Sequence, residues 1–109
     1  MIIYELHTYR SRNNKKPFDQ WLSSIKNEVL KFQIMRRLDQ AKLGNLGDYK
    51  FLGYGIYEFR IHYQAGYRIY FGLKGDDLIL LLGGDKSKQT KDIKRAQLYW
   101  QDFQEQLYE

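Results

Sequence analysis

The stretch that decides the fold class is residues 56–73, which reads IYEFRIHY, then QAG, then YRIYFGL. Apolar and polar residues alternate in the two longer runs, which is the period-two pattern of half-buried β-strands. The short glycine-containing segment between the runs predicts a tight turn, so the two strands form an antiparallel hairpin. One face of this hairpin is apolar and needs a cover from the rest of the chain.

Two registers of the hairpin are compatible with the sequence. A two-residue loop places Ile61 opposite Arg68, whereas a three-residue loop with Gly66 in the left-handed conformation pairs Ile61 with Ile69. The second register brings apolar side chains together, and we therefore expect it.

The expected register gathers four polar residues on the other face of the sheet. Arg60 lies opposite Tyr70, and His62 lies opposite Arg68. We expect this face to be open to solvent, with Lys86 reaching the same rim from the glycine-rich end of the next strand.

The flanking segments supply the remaining elements. Pro17 suits a first helical position, Gly44 suits a helix C-cap, and the continuous apolar run at 78–82 predicts a strand covered on both faces. The predicted elements are a strand at 2–8, helices at 17–25 and 29–43, the hairpin, a strand at 78–82, and a final helix that Ser87 or Thr90 caps. The fold class is therefore α+β, in the order β-α-α-β-β-β-α, with an antiparallel sheet packed on an N-terminal helical hairpin and a C-terminal helix.

Composition limits the class of protein. The 109 residues suit a single domain spanning 1–109, and the absence of cysteine excludes disulfides, thiolate metal sites and a cysteine nucleophile. The net charge of +5 favours a polyanion such as nucleic acid as partner. No segment has the length and apolar character of a signal peptide or membrane span, so we expect a cytoplasmic protein with no membrane partner.

Arg60, His62, Arg68, Tyr70 and Lys86 have the chemistry that RNA cleavage requires. A metal-free ribonuclease needs a base for the 2′-hydroxyl proton, cations for the charge of the phosphorane, and an acid for the leaving 5′-oxygen. Arginines suit the phosphate, whereas His62, Tyr70 and Lys86 are the acid and base candidates. The alternative is that Arg60 and Arg68 are ordinary surface residues paired with Glu58 and Glu5.

Other kinds of site have less support. The segment 83–87 ends in Asp-Lys-Ser but lacks the upstream glycine spacing of a nucleotide phosphate loop. His7 and His62 stand far apart without cysteines, so we expect no dedicated metal site and no cofactor. His7 is expected to be a surface residue of the first strand.

Five motifs in order resemble the RelE/ParE superfamily of bacterial toxins, and within it the HigB-like, phage-related "addiction module killer" branch. They are Pro17-Phe18-x-x-Trp21-Leu22, Leu43-Gly44-Asn45-Leu46-Gly47-Asp48, Glu58-Phe59-Arg60-Ile61-His62-Tyr63, Gly66-Tyr67-Arg68-Ile69-Tyr70-Phe71 and Gly83-Gly84-Asp85-Lys86-Ser87.

This resemblance implies a toxin that cuts messenger RNA without metal, usually in the ribosomal decoding site, and leaves a cyclic phosphate. Its partners are then mRNA, the ribosome and a cognate antitoxin, expected to be a small helix-turn-helix protein encoded beside it. The superfamily's phosphate-contacting strand arginine corresponds to Arg68 and its basic residue after the last strand to Lys86. On this basis Arg68→Ala is expected to abolish growth arrest and leave the fold intact.

Two other functions stay open. The same superfamily includes ParE-type toxins that inhibit DNA gyrase and cut no RNA, in which case the basic loop 10–16 and the final helix bind the target. A third alternative is a toxin relic that only binds its antitoxin. The final helix itself either packs on the domain's own sheet or fills a partner's groove.

Overall fold

The computed structural model describes residues 2–109. Its elements in chain order are β1 (Glu5–Thr8), α1 (Pro17–Ser24), α2 (Glu28–Lys42), β2 (Tyr49–Gly53), β3 (Ile56–Ile61), β4 (Tyr67–Lys74), β5 (Asp77–Asp85), a 3-10 turn (Lys86–Lys88) and α3 (Gln89–Gln106). The strands form one sheet in the order β1-β5-β4-β3-β2, in which β1 runs parallel to β5 and the other neighbours are antiparallel.

The sheet lies between two helical layers, each with its own apolar core. On one face α1 and α2 pack against the sheet, and this core contains Phe18, Leu30, Ile34, Leu38, Phe59, Ile69, Phe71, Leu78 and Leu80. On the other face α3 packs, and this core contains Ile56, Tyr70, Ile79, Leu81, Ala96 and Trp100. Since β5 is buried on both faces, its continuous apolar run is explained, and the prediction that it lies inside the sheet is confirmed.

Local sequence signals set the ends of the helices. Pro17 begins α1, and the side chain of Asn27 caps α2 by accepting a hydrogen bond of 3.1 Å from the amide of Leu30. Gly44 follows α2 with a φ of 89°, as its predicted C-cap role requires. The predicted caps of α3 are wrong, because Asp85 caps the 3-10 turn and Lys88 precedes α3 without a side-chain cap.

The observed topology differs from the predicted order in two details. A further strand, β2, lies at the sheet edge beside β3, in a region for which the sequence analysis predicted no element. The sheet is also mixed, because β1 lies at the other edge, beside β5, and runs parallel to it. The coarser prediction of an α+β domain is confirmed.

The predicted hairpin register is wrong by two residues. Ile61 pairs with Tyr67, and Arg60 lies directly opposite Arg68. The loop is longer than expected because Gln64 as well as Gly66 adopts positive φ, and the amide of Gly66 closes the turn onto the carbonyl of Tyr63 at 2.9 Å. A shift of two residues preserves the faces, so Arg60, Arg68 and Tyr70 still share one side.

The prediction that this side is open to solvent is wrong. α3 covers it, Tyr70 is fully buried, and Arg68 retains 9% exposure. The long final helix therefore packs on the domain's own sheet, as one of the two alternatives had it. Within residues 2–109, no helix combines the length and hydropathy needed to cross a bilayer.

Candidate functional site

His62 lies just beyond the end of β3 and is paired with a carboxylate from the segment before β2. Its Nε2 is 2.5 Å from Oδ2 of Asp48, and 74% of the His62 side chain is exposed. The hydrogen bond lowers the pKa of the Asp48 carboxyl, which therefore stays ionised and holds the ring through Nε2. Nδ1 of the neutral ring is then an acceptor, which is the arrangement of a general base oriented by a carboxylate.

A cleft lined by three arginines lies beside this imidazole. It has a volume of about 400 Å³ between α2 and the end of β3, and Arg36, Arg37, Arg60 and His62 contribute to its lining. The guanidinium of Arg37 is fixed, because it donates to the carbonyls of Arg60 at 2.8 Å and Leu46 at 3.1 Å. The cleft therefore combines fixed positive charge with an accessible imidazole.

Arg60 also has an unsatisfied polar atom. Its Nε is buried and finds no hydrogen-bond acceptor within the described part of the chain. A buried N–H group without an acceptor is destabilising, and phosphate oxygens match the geometry of a guanidinium well. Because this Nε is sealed from solvent, it is not itself a free donor for a phosphate in the cleft.

Arg68, in contrast, belongs to a buried ion pair. Its Nε lies 2.8 Å from Oε2 of Glu58, and Gln89 of α3 donates to both carboxylate oxygens of Glu58 at 3.3 and 3.4 Å. The Nε–H bond does not point at the carboxylate oxygen, so the two groups attract as charges and not through a well-directed hydrogen bond. Glu58 also offsets the repulsion between Arg68 and Arg60, which face each other across β3 and β4.

Tyr70 and Asp92 are buried polar side chains under α3. Neither the Tyr70 hydroxyl nor Oδ2 of Asp92 has a hydrogen-bond partner among residues 2–109. Burial raises the pKa of Tyr70, and the negative charges of Asp92 and Glu58 add to this effect. Burial also raises the pKa of Asp92, against the opposing charges of Arg95 and Lys88. A phenol that keeps its proton and is sealed from solvent is poorly placed for acid-base catalysis on an external substrate.

Lys86 lies at the rim, next to Arg68. A methyl group added at Gly66 would lie 3.8 Å from Nη1 of Arg68 and 3.9 Å from Cβ and Cδ of Lys86. The amide of Lys86 also donates to the carbonyl of Gly66 at 3.0 Å, which fixes the 3-10 turn against the β3–β4 loop. Lys86 is exposed, as an acid that must reach a substrate has to be.

The structure thus divides the five predicted residues into two groups. His62 lines the cleft beside α2, and Arg68, Tyr70 and Lys86 lie towards α3, whereas Arg60 borders the cleft but has its side chain on the α3 face by strand parity. The expected contact of His62 with Arg68 is absent, because β3 ends at Ile61 and the imidazole turns to Asp48. The chemical roles of all five residues stay predictions.

Sequence reasoning missed Asp48, Arg36, Arg37 and Asp92. The first three had no detectable signal, because their proximity to His62 depends on how the segment before β2 and helix α2 meet β3. Asp92 did have one, since it stands four residues before Ala96 and eight before Trp100, on the apolar stripe of α3. A carboxylate on such a stripe is costly to bury and usually has a reason to be there.

A separate group of side chains occupies the opposite end of the sheet. Nε2 of His7 lies 2.9 Å from Oδ1 of Asp77, and one ligand atom each from Glu5, His7 and Asp77 lie within 4.8 Å of one another. The expectation that the protein has no metal site therefore stays a prediction. His7 is a surface residue of β1, as expected.

Comparison with known proteins finds a relative in Haemophilus influenzae that carries the description "Uncharacterized protein". It is 46% identical over 87 residues, which cover 79% of this chain and 88% of the relative. No protein-family model matches the chain, and no solved structure matches it.

Proposed function

This chain belongs to the same family as the uncharacterized Haemophilus influenzae protein, and we propose that it is the toxin of a type II toxin-antitoxin pair with a RelE-like fold. We propose that it cuts messenger RNA without a metal ion, in the ribosomal decoding site, and that the antitoxin encoded beside it silences it. One observation carries the proposal: the pair of His62 and Asp48 opens onto a cleft lined by Arg36, Arg37 and Arg60.

The proposed reaction uses the 2′-hydroxyl of the RNA as nucleophile. Nδ1 of His62 takes the hydroxyl proton while the oxygen attacks the neighbouring phosphorus. The bond from phosphorus to the 5′-oxygen of the next nucleotide breaks, and that oxygen receives a proton, for which Lys86 is the candidate donor. The products are a 2′,3′-cyclic phosphate and a 5′-hydroxyl end.

The arginines act on the charge that develops at phosphorus. Attack adds negative charge to the phosphoryl oxygens, and guanidinium groups fixed before the reaction stabilise it without rearranging. Arg37 is held by three backbone carbonyls, those of Arg60, Leu46 and Asp48. Arg68 adds little to this stabilisation, because it is buried and Glu58 neutralises its charge.

The chain offers a matched pair of histidines for the test. His62 and His7 are both exposed and both bonded to an aspartate, but only His62 lies beside the arginine cleft. We expect His62→Gln to lower cleavage by about 10²- to 10⁴-fold, the usual contribution of a general base, and His7→Gln to leave it unchanged. The measurement is primer extension of a defined mRNA on purified ribosomes, with urea unfolding to show that both variants are folded.

Equal cleavage by His62→Gln and the unmodified protein would remove His62 as the base. If the unmodified protein cuts no transcript and cells that express it show a DNA damage response, the nuclease proposal is wrong and gyrase inhibition is favoured.

That second candidate is inhibition of DNA gyrase without RNA cleavage. The observation that favours it is the burial of Tyr70 and the pairing of Arg68 with Glu58, which remove two residues from the predicted catalytic set. Expression in growing cells separates the two functions, because a nuclease stops translation first and leaves cut transcripts, whereas a gyrase inhibitor leaves transcripts intact.

A further inference from the structure

The backbone of β5 is open along part of one side. β1 accompanies β5 only as far as Leu80, whose carbonyl accepts a 2.9 Å hydrogen bond from the amide of Tyr9. In the portion of the chain that the structure covers, no strand lies beside residues 81–85 on the β1 side. Backbone amides and carbonyls in such a position have no partner strand, although residues 81–84 are buried by neighbouring side chains.

A cleft of about 330 Å³ lies over this open side, between α1 and α3. We call it the β5 groove, and its defining residues are Trp21, Tyr67, Gly83, Gly84, Lys88, Asp92 and Arg95. A second cleft borders it along Pro17, Gln20 and Arg95 and reaches Lys15 in the basic loop. The β5 groove and the second cleft thus combine aromatic rings, a stretch of β5 backbone without a partner strand, and positive charge.

Two glycines allow the walls of the groove to approach the strand. A Cβ atom on Gly83 would lie 2.2 Å from Cε3 of Trp21, and one on Gly84 would lie 2.2 Å from Oδ2 of Asp92. Both distances are far below van der Waals contact, so any larger residue would displace the ring or the carboxyl group. The glycines bring an aromatic ring and a carboxyl group directly onto the β5 backbone.

We propose that the β5 groove holds one unpaired nucleotide of the RNA substrate and gives the enzyme its base preference. This inference rests on the proposed function and adds a binding subsite to it. The base stacks against Trp21 or Tyr67, its polar edge meets the free backbone of β5 and the carboxyl group of Asp92, and Lys88 and Arg95 hold the adjoining phosphates.

Asp92 is the strongest reason to expect a ligand with hydrogen-bonding groups. It is 3% exposed, its Oδ2 has no partner in the described chain, and its other oxygen lies 3.9 Å from Nη1 of Arg95. A buried carboxyl oxygen without a donor is destabilising, and the amino group of a base supplies a donor. Burial also raises the pKa of Asp92, as expected for a carboxyl group that lacks a donor for one oxygen.

The groove and the His62 cleft lie at the same end of the sheet. Gly84 of β5 is opposite Arg68 of β4, and Arg68 is opposite Arg60 of β3, so three neighbouring strands form one row. Two strand spacings amount to about 10 Å, which is short enough for one RNA strand to occupy both sites. The exposed Lys86 lies beside Arg68 in this row and supplies positive charge along the path.

The test is binding of short single-stranded RNAs whose 2′-hydroxyls are methylated, so that they cannot be cut. Binding is measured by fluorescence anisotropy at several salt concentrations, for four sequences that differ in one base. We expect Lys88→Ala and Arg95→Ala to weaken binding of all four and to reduce the slope of log affinity against log salt by about 0.7 each. We expect Asp92→Asn to change the order of the four sequences and leave the slope unchanged.

Lys94→Ala is the matched control, because Lys94 lies on the same helix but lines a different cleft, with Tyr54 and Leu98. It should match the unmodified protein in base preference. If the Lys88, Arg95 and Asp92 variants also bind all four RNAs as the unmodified protein does, the β5 groove is not a nucleotide site. Loss of antitoxin binding with RNA binding retained would likewise overturn the proposal and make the groove a site for an extended peptide.

Failure of this inference is distinguishable from failure of the proposed function. If the groove proposal alone is wrong, the protein still cuts mRNA and His62→Gln still abolishes the cut. If the nuclease proposal is wrong, neither the unmodified protein nor any variant cuts RNA. If the unmodified protein also fails to bind RNA, both proposals are overturned.

Discussion

Glu58 and Arg68 form an ion pair inside the molecule, with 2.8 Å between Oε2 and Nε and almost no solvent contact for the carboxylate. Removal of one partner leaves the other charged in a low-dielectric environment. We therefore expect Arg68→Ala to lower the free energy of unfolding by about 3–5 kcal/mol in urea titrations. This replaces the expectation from the sequence that Arg68→Ala leaves the fold intact, and loss of toxicity in this variant would not identify a catalytic residue.

The double variant Glu58→Met with Arg68→Met is the control for this prediction. Two apolar side chains of similar length fill the same space without buried charge, so much of the stability should return. A single Arg68→Ala variant that unfolds within about 0.5 kcal/mol of the unmodified protein would show that the pair is weaker than its burial indicates.

Tyr70→Phe tests whether the phenol has a chemical role. The hydroxyl is buried without a hydrogen-bond partner among residues 2–109, so its removal takes away an unsatisfied polar group. We expect the variant to be as stable as the unmodified protein or up to about 1 kcal/mol more stable, with mRNA cleavage and growth arrest unchanged. Loss of cleavage at full stability would return Tyr70 to the set of catalytic candidates.

Two aspartates on α3 should affect stability with opposite signs as the pH changes. Burial raises the pKa of Asp92, so the folded state binds the proton more tightly and the free energy of unfolding falls as the pH rises above about 3.9. Asp92→Asn has no carboxyl group to ionise, so it avoids this loss of stability and should be more stable than the unmodified protein at neutral pH. The difference should shrink as the pH falls towards about 3.

Asp102 provides the opposite case. The hydrogen bond of 2.6 Å from the Tyr9 hydroxyl lowers the pKa of Asp102, and the charge of Arg12 also lowers it. Its contribution to stability is present above about pH 3.9 and is lost as the pH falls through the lowered pKa. Asp102→Asn should therefore be less stable than the unmodified protein at neutral pH. Urea titrations between about pH 2 and pH 7 measure both variants, and equal pH profiles for the two would contradict the assignment.

Gly72 should tolerate no larger side chain. A Cβ atom at this position would lie 2.3 Å from Cε3 of Trp100, which packs against the strand. We expect Gly72→Ala to cost about 1–3 kcal/mol of stability, the usual range for overpacking a core. Combining it with Trp100→Leu should cost less than the sum of the two single changes, because a smaller side chain leaves room for the methyl group. If the two losses of stability add, the Trp100 ring does not clash with a Cβ atom at position 72.

Much of the fold follows from local sequence patterns. Alternation identified β3 and β4, the run of apolar residues identified β5 as an interior strand, and Pro17 and Gly44 marked helix ends. Such signals are readable because they depend on periodicity and on φ preferences of single residues. β2 escaped notice because Tyr49 and Phe51 lie on a short edge strand among glycines, where alternation is hard to distinguish from a loop.

The candidate site was less accessible to the same reasoning. The sharing of one face by Arg60, Arg68 and Tyr70 followed from strand parity, which survives a register error of two residues. Whether that face is open depended on where α3 lies, and the apolar stripe of a helix does not state which side of a sheet it will cover. The partners of His62 and Arg68 likewise depend on contacts between distant segments.

The sequence by itself determined the number and type of most elements, the faces of the strands and the positive charge, because each of these is a property of residues close together in the chain. Only the tertiary structure decided that α3 seals Arg68 and Tyr70 into the interior, that Asp48 orients His62, and that β5 extends past β1 to leave a groove. Burial and pairing arise from segments far apart in the chain, and no local pattern contains the packing that brings them together.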